Sequence, residues 1–144
     1  MGQEHKPLPE GVHTVVLGMG DLNGLLRGKR IPAENWANIC ESGMAMSNAT
    51  FAIDMTCDVW DTPYTNWDTG YPDMHVMPIG EVHPIPWEEG VVYSFAEVVG
   101  ADHQPLAIDP RAALVRVLQK AAAMGYEVRI GTELEFYLLD KETL

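Results

Sequence analysis

Near the end of the chain, Val128, Ile130, Leu134, Phe136 and Leu138 share one parity. That is the period-two pattern of a strand with one apolar face. Glu133 and Glu135 fall on the opposite parity, and Tyr137 follows them there. With one face so apolar, the pattern predicts a central strand from Val128 to Leu139. Same-face side chains then sit roughly 6.5–7 Å apart, from a rise of about 3.3 Å per residue.

Further back, Val12 to Asp21 is rich in β-branched residues and reads as a strand. Asn23-Gly24 separates it from a second run, Leu25 to Ile31. Asn-Gly between two such runs predicts a hairpin with a type I′ turn, which needs two residues tolerant of positive φ. Pro32 to Met46 predicts a helix. Pro32 suits a first turn, Glu34 is acidic near the N-terminus, and Trp36, Ile39, Cys40 and Gly43 share a face. Ala49 to Met55 reads as another strand, and Val91 to Val99 as another. Asp109 then offers an N-cap, Pro110 an N1 residue and Gly125 a C′ stop. Between them, Ala113, Leu114, Val117, Leu118, Ala121 and Ala122 form an apolar stripe.

Residues 56–90 differ in kind. They hold Asp58, Asp61, Asp68, Asp73, Trp60, Trp67, Trp87, Tyr64 and Tyr71, with little periodicity until Met74–Val82. Long irregular segments in a globular domain are commonly functional, and this one is too aromatic for a disordered linker. The pattern predicts an α+β chain: a flexible tail at 1–11, a domain at 12–103 with a long 56–90 loop, and a helix and strand at 104–144 that open a second domain.

Composition adds bounds. A chain of 144 residues, 47% hydrophobic, can build a core. A net charge of -12 disfavours nucleic acid and anionic membranes as partners. No apolar run is long enough for a bilayer span. Cys40 and Cys57, the only cysteines, form neither a disulfide framework nor a CxxC pair, so a reducing cytoplasm is expected.

The candidate chemistry is narrow. Glu133 and Glu135 can each hold one of two neighbouring hard cations, since a central strand gives acids no water of their own. The bland alternative is a strand face of solvated acids, and spacing alone leaves both open. Gly18-Met19-Gly20 lacks the spacing of a dinucleotide fingerprint and the lysine of a P-loop, so its glycines relieve crowding. His5, His13, His75, His83 and His103 are scattered, and Arg27, Lys29 and Arg30 read as a solvated strand face.

Taken together, Asp21-Leu22-Asn23-Gly24 and Arg27-Gly28-Lys29-Arg30-Ile31-Pro32 resemble the opening of the glutamine synthetase family, most closely its γ-glutamylpolyamine synthetase-like branch. Gly70-Tyr71-Pro72-Asp73 and Pro84-Ile85-Pro86-Trp87 resemble its proline-tryptophan segment. Asp109-Pro110-Arg111 resembles the start of its catalytic domain, and Gly131-Thr132-Glu133-Leu134-Glu135-Phe136-Tyr137 its first metal-binding strand. The likeness runs from about Val12 to the end.

The resemblance implies a β-grasp N-terminal domain followed by the first helix and strand of a catalytic domain. It implies an ATP-dependent glutamate–amine ligase with Mg²⁺ or Mn²⁺, acting on glutamate, ATP and ammonia or an amine within a homo-oligomeric ring. Glu133 and Glu135 match two metal ligands. Asp54 matches the aspartate that helps bind ammonium or amine, although Asp54-Met55-Thr56-Cys57-Asp58 departs from the family's Asp-Gly-Ser-Ser run. That departure favours a larger amine over ammonia. The family's other metal ligands, its ATP contacts and its glutamate-binding arginine find no counterpart here, so the resemblance implies an inactive fragment. A non-catalytic β-grasp interaction or regulatory module is the alternative.

Overall fold

The computed structural model describes residues 7–143. Its centre is a five-stranded mixed sheet in the order β2-β1-β5-β4-β3. The strands are β1 (Thr14–Gly20), β2 (Leu26–Pro32), β3 (Met44–Ser47), β4 (Asp73–Pro84) and β5 (Val91–Val99). β1 and β5 run parallel and the other pairs antiparallel. One sheet face is the core: Val15, Leu17 and Met19 of β1 interleave with Met74 and Val76 of β4 and Val92, Ala96 and Val98 of β5. The helix α1 (Trp36–Ser42) closes it, with Trp36 buried. This alternation is the period-two pattern seen in the sequence, and β5 coincides with its predicted limits.

The hairpin forms, but not around a two-residue turn. Its connection is Asp21 to Leu25, because the Asp21 carboxylate competes for the backbone. Asp21 Oδ1 accepts the Asn23 and Leu25 N–H groups, each at 2.8 Å, and only Gly24 takes a positive φ, of 76°. This Asx-type cap lengthens the loop. The glycines behind it permit close approach: Gly18 pairs with Gly28 across the ladder.

The helix expected over 32–46 is shorter. A 3₁₀ turn at Ala33–Asn35 leads into α1, and Gly43, at φ 75°, ends it. Met44 is then buried and pairs with Val76, so burial of an apolar side chain wins over helix continuation. The strand expected over 49–55 is instead a 3₁₀ helix, Asn48–Ala52, because the Ser47 hydroxyl caps the Ala49 N–H at 3.2 Å. The long loop is also shorter than 56–90, since β4 starts at Asp73 and carries a bulge between Ile79 and His83.

A second helix, α2 (Pro110–Ala123), begins and ends as the sequence predicts. Asp109 accepts the Arg111 and Ala112 N–H groups at 3.0 and 3.2 Å, and Gly125 has φ 82°. Its apolar stripe is not a buried face, however. Leu114 and Val117 are exposed, and only Ala112 of the helix is buried. No helix among the described residues is long and apolar enough to cross a membrane.

The largest departure is the strand expected over 128–139. It pairs with no other strand and joins no sheet. Leu134 and Phe136 are 88% and 79% exposed. A strand is completed by its neighbours' N–H and C=O groups, and no described segment supplies them. Hydrogen exchange is therefore expected to be close to that of unstructured peptide at Leu134–Leu138, and strongly slowed at Val15–Leu17, where the ladder is buried. Equal, strong protection in both segments would show that the last segment is paired.

Candidate functional site

A dense polar cluster lies where the hairpin tip meets the segment after Ala52. Asp21 is almost wholly buried, and it accepts Arg27 Nε at 2.7 Å as well as its two backbone donors. Burial works to raise the Asp21 carboxyl, but the Arg27 hydrogen bond and the Leu25 and Asn23 N–H groups together hold it below the usual range. The same hydrogen bond raises the Arg27 guanidinium above its ordinary value. Arg27 is thus more than part of a solvated face. From this anchor, Arg27 Nη2 reaches the Asp54 carbonyl at 3.5 Å, and Asn23 Nδ2 donates to the Ile53 carbonyl at 3.0 Å.

Those two carbonyls open a miniature hairpin. Ile53 and Val59 form an antiparallel bridge, and Asp54 N donates to the Asp58 carbonyl at 3.0 Å. Cys57 turns the corner at φ 68°. Inside the turn, Asp54 Oδ1 accepts the Thr56 N–H (2.8 Å), the Thr56 hydroxyl (2.8 Å) and the Asp58 N–H (3.0 Å). Oδ2 accepts Trp60 Nε1–H at 3.0 Å. The Trp60 and Thr56 hydrogen bonds, in that order, hold the Asp54 carboxyl down to about 2.

The sign of that shift sets a pH window. A carboxyl lowered in the folded state contributes order that is complete above the ordinary carboxylate range. That order is lost as pH falls through the folded value. The Trp60 indole N–H signal in a nitrogen-15 spectrum is therefore expected to hold steady from neutrality to about pH 4. It should move as pH falls through about 2. A shift centred near the ordinary carboxylate value would show that the Asp54 bonds are absent.

The loop also shows aromatic rings to solvent. Trp60 is 65%, Trp67 83% and, on the β4–β5 turn, Trp87 81% exposed. Trp67 packs edge-on against Tyr71 at 5.6 Å. Glu133 and Glu135 stand apart on the unpaired last segment, exposed and without a hydrogen-bond or ion-pair partner among the described residues. No group of three or more His, Cys, Asp or Glu side chains among the described residues could hold a metal ion. Two carboxylate donors suit a hard divalent cation, which prefers about six oxygens. The donor type fits Mg²⁺ or Mn²⁺, and the donor number is short. Asp54, Glu133 and Glu135 are thus not gathered into one site by these residues.

Sequence reasoning missed Asp21, Asn23, Arg27 and Trp60 as parts of one framework. A signal was present: Thr56, Asp58 and Trp60 stand two, four and six residues after Asp54. The first of these spacings is that of an Asx turn.

Comparison with known proteins gives this geometry its context. Residues 107–144 match the family described as glutamine synthetase, catalytic domain. Over 132 residues the chain is 33% identical to a glutamate–isopropylamine ligase of a Pseudomonas species, covering 90% of this chain and 29% of that protein. The chain belongs to the glutamine synthetase family. Another member, a γ-glutamylethanolamide synthetase of Streptomyces coelicolor, is 35% identical over 129 residues, 87% of this chain and 28% of its own. A family structure solved as a GmaS/ADP complex superposes with a TM-score of 0.63 at 26% identity, over 80% of this chain and 24% of that one. The chain therefore spans less than a third of the length of these family members.

Proposed function

We propose that these 144 residues are part of an ATP-dependent glutamate–amine ligase, with a β-grasp domain leading into the start of the catalytic domain. One observation carries the reading: Glu133 and Glu135 lie inside the segment, 107–144, that matches the family's catalytic domain. The parallel pairing of β1 with β5, flanked by the hairpin and covered by α1, supports the β-grasp part. The names of several relatives support a substituted amine as acceptor.

The chemistry follows from the poor electrophilicity of a carboxylate. Transfer of the ATP γ-phosphoryl group to the glutamate γ-carboxylate gives an acyl phosphate and ADP. The amine nitrogen then forms the C–N bond, the C–O bond to phosphate breaks, inorganic phosphate leaves, and the nitrogen gives up a proton. A divalent cation bound at such a site offsets the negative charge that gathers as phosphate meets carboxylate. In this chain Glu133 and Glu135 would hold it, and their exposure leaves both free for further ligands.

The assay is ATP- and glutamate-dependent phosphate release with a panel of amines, on a chain of relatives' length that carries this sequence. Turnover with an alkylamine is the expected result. For the 144 residues alone the expectation is no release, because two carboxylates fill too little of a cation's shell. Glutamate-dependent release by the short chain, abolished by Glu135→Ala, would overturn that expectation. A relatives'-length chain inert with every amine and with ammonia would favour the non-catalytic module.

A further inference from the structure

We infer that Asn48 and Thr65 hold a buried water between them, and that this water fastens the middle of the 53–72 loop to the domain. Neither residue takes part in the ligase reading above.

The site begins with Asn48, the first residue of the 3₁₀ helix Asn48–Ala52. Its backbone N–H donates to the Pro72 carbonyl at 3.0 Å, and its side-chain Nδ2 donates to the Tyr64 carbonyl at 2.9 Å. A carbonyl can only accept, so the amide nitrogen must face Tyr64 and Oδ1 must turn the other way. Asn48 is 8% exposed, and its Oδ1 meets no donor among the described residues.

Thr65 directly follows the residue whose carbonyl Asn48 grips. Tyr64 turns outward, 57% exposed, and Thr65 turns inward, 1% exposed. The Thr65 backbone is satisfied locally, its N–H donating to Thr62 Oγ1 at 3.1 Å. Its hydroxyl is buried and has no partner among the described residues. An acceptor and a hydroxyl, both cut off from solvent, thus stand within one residue of a shared contact, and they do not bond to each other. Leaving a buried polar atom unpaired costs its full desolvation. Buried waters in protein interiors serve such groups, making two to four hydrogen bonds each.

Water fits this seam better than a cation does. It donates to Asn48 Oδ1 and accepts from the Thr65 hydroxyl, so both groups are satisfied at once. A monovalent cation would draw the two oxygens but leave the hydroxyl proton unpaired. No carboxylate shares in the hydrogen bonds of Asn48, Tyr64 and Thr65, so its buried charge would go uncompensated. The far end of the loop is tied directly, through Ser47 Oγ to the Tyr71 carbonyl at 3.3 Å and Asn48 N–H to the Pro72 carbonyl. The water adds a second tie at the middle, beside the Asn48–Tyr64 bond.

Thr65→Val keeps the side chain's shape and deletes the hydroxyl, and the sign of its effect is the test. If a water is bound, urea denaturation of the 144-residue chain should show the folding equilibrium constant lowered by about tenfold, because the water loses a partner. If both atoms are orphaned, the same change removes a desolvated hydroxyl and raises the constant. A raised or unchanged constant would overturn the site. A crystal structure of the unmodified chain decides the question even where Thr65→Val does not fold. One solvent peak within about 2.5–3.0 Å of both Asn48 Oδ1 and Thr65 Oγ1 is expected. A direct Asn48–Thr65 bond, a peak touching only one of the two, or no peak at all would overturn it. An anomalous peak there in crystals grown with rubidium would put a cation in place of the water and overturn it as well.

Discussion

Glu133→Gln and Glu135→Gln are each expected to lower ATP- and glutamate-dependent phosphate release by about a thousandfold or more in the relatives'-length ligase. Each swap keeps the side chain's shape and removes one negative charge from oxygens proposed to hold a hard cation. Charge stabilisation by a bound metal is worth several kcal/mol, and about 1.4 kcal/mol is one factor of ten in rate. The double substitution should fall little further than either single one, since groups that act as a unit each abolish the shared function. Circular dichroism should be unchanged, because both side chains are exposed and unpartnered. Full activity of Glu135→Gln would remove the metal assignment. Loss of the fold in either variant would mean that the carboxylates are structural.

The second large effect concerns the fold. Gly28→Ala is expected to destabilise the chain by about 3 kcal/mol, the upper end of the usual overpacking range. A Cβ at Gly28 would lie 1.9 Å from the Leu17 carbonyl oxygen and 2.8 Å from Gly18 Cα. Both are backbone atoms of the buried strand β1, so neither can swing aside, and the β1–β2 ladder must open. Gly18→Ala is the internal comparison. Its Cβ would meet the Tyr93 hydroxyl at 2.7 Å, the far end of a side chain, and the Arg27 carbonyl oxygen only at 3.3 Å, so a smaller cost of about 1 kcal/mol is expected. Urea denaturation of both variants reads the difference directly. Equal stabilities would show that β2 sits farther from β1 than this register places it. Such an opening would also loosen Arg27, which follows Leu26 at the start of β2, and through it the carbonyl of Asp54.

At α2 and β5 the structure followed the local pattern of the sequence. Asp109, Pro110 and Gly125 bracket α2 because caps and stops act over three or four residues, and no distant partner can outvote them. The apolar run Val91–Val99 became β5, since its burial on the core face suits only one element type. The two carboxylates of the last segment were visible as a motif, and the family match covers them.

What local pattern could not settle was decided by pairing and by competition for the same backbone. Met44–Met46 left the predicted helix because β4 offered an edge to pair with and burial for Met44, and Gly43 allowed the turn that reached it. Residues 128–139 show the converse. Their alternation is period-two, yet they have no ladder, because every ladder hydrogen bond needs a neighbouring strand and none among the described residues pairs with them. Around Asp54 the sequence by itself offered only a resemblance to a family aspartate. Only the tertiary structure showed that donors from Thr56, Asp58 and Trp60 converge on it and that Arg27 and Asn23 hold its turn to the hairpin tip. Whether a carboxylate is free to bind depends on which donors folding brings to it, and the hairpin tip that braces its turn lies some thirty residues away in the chain.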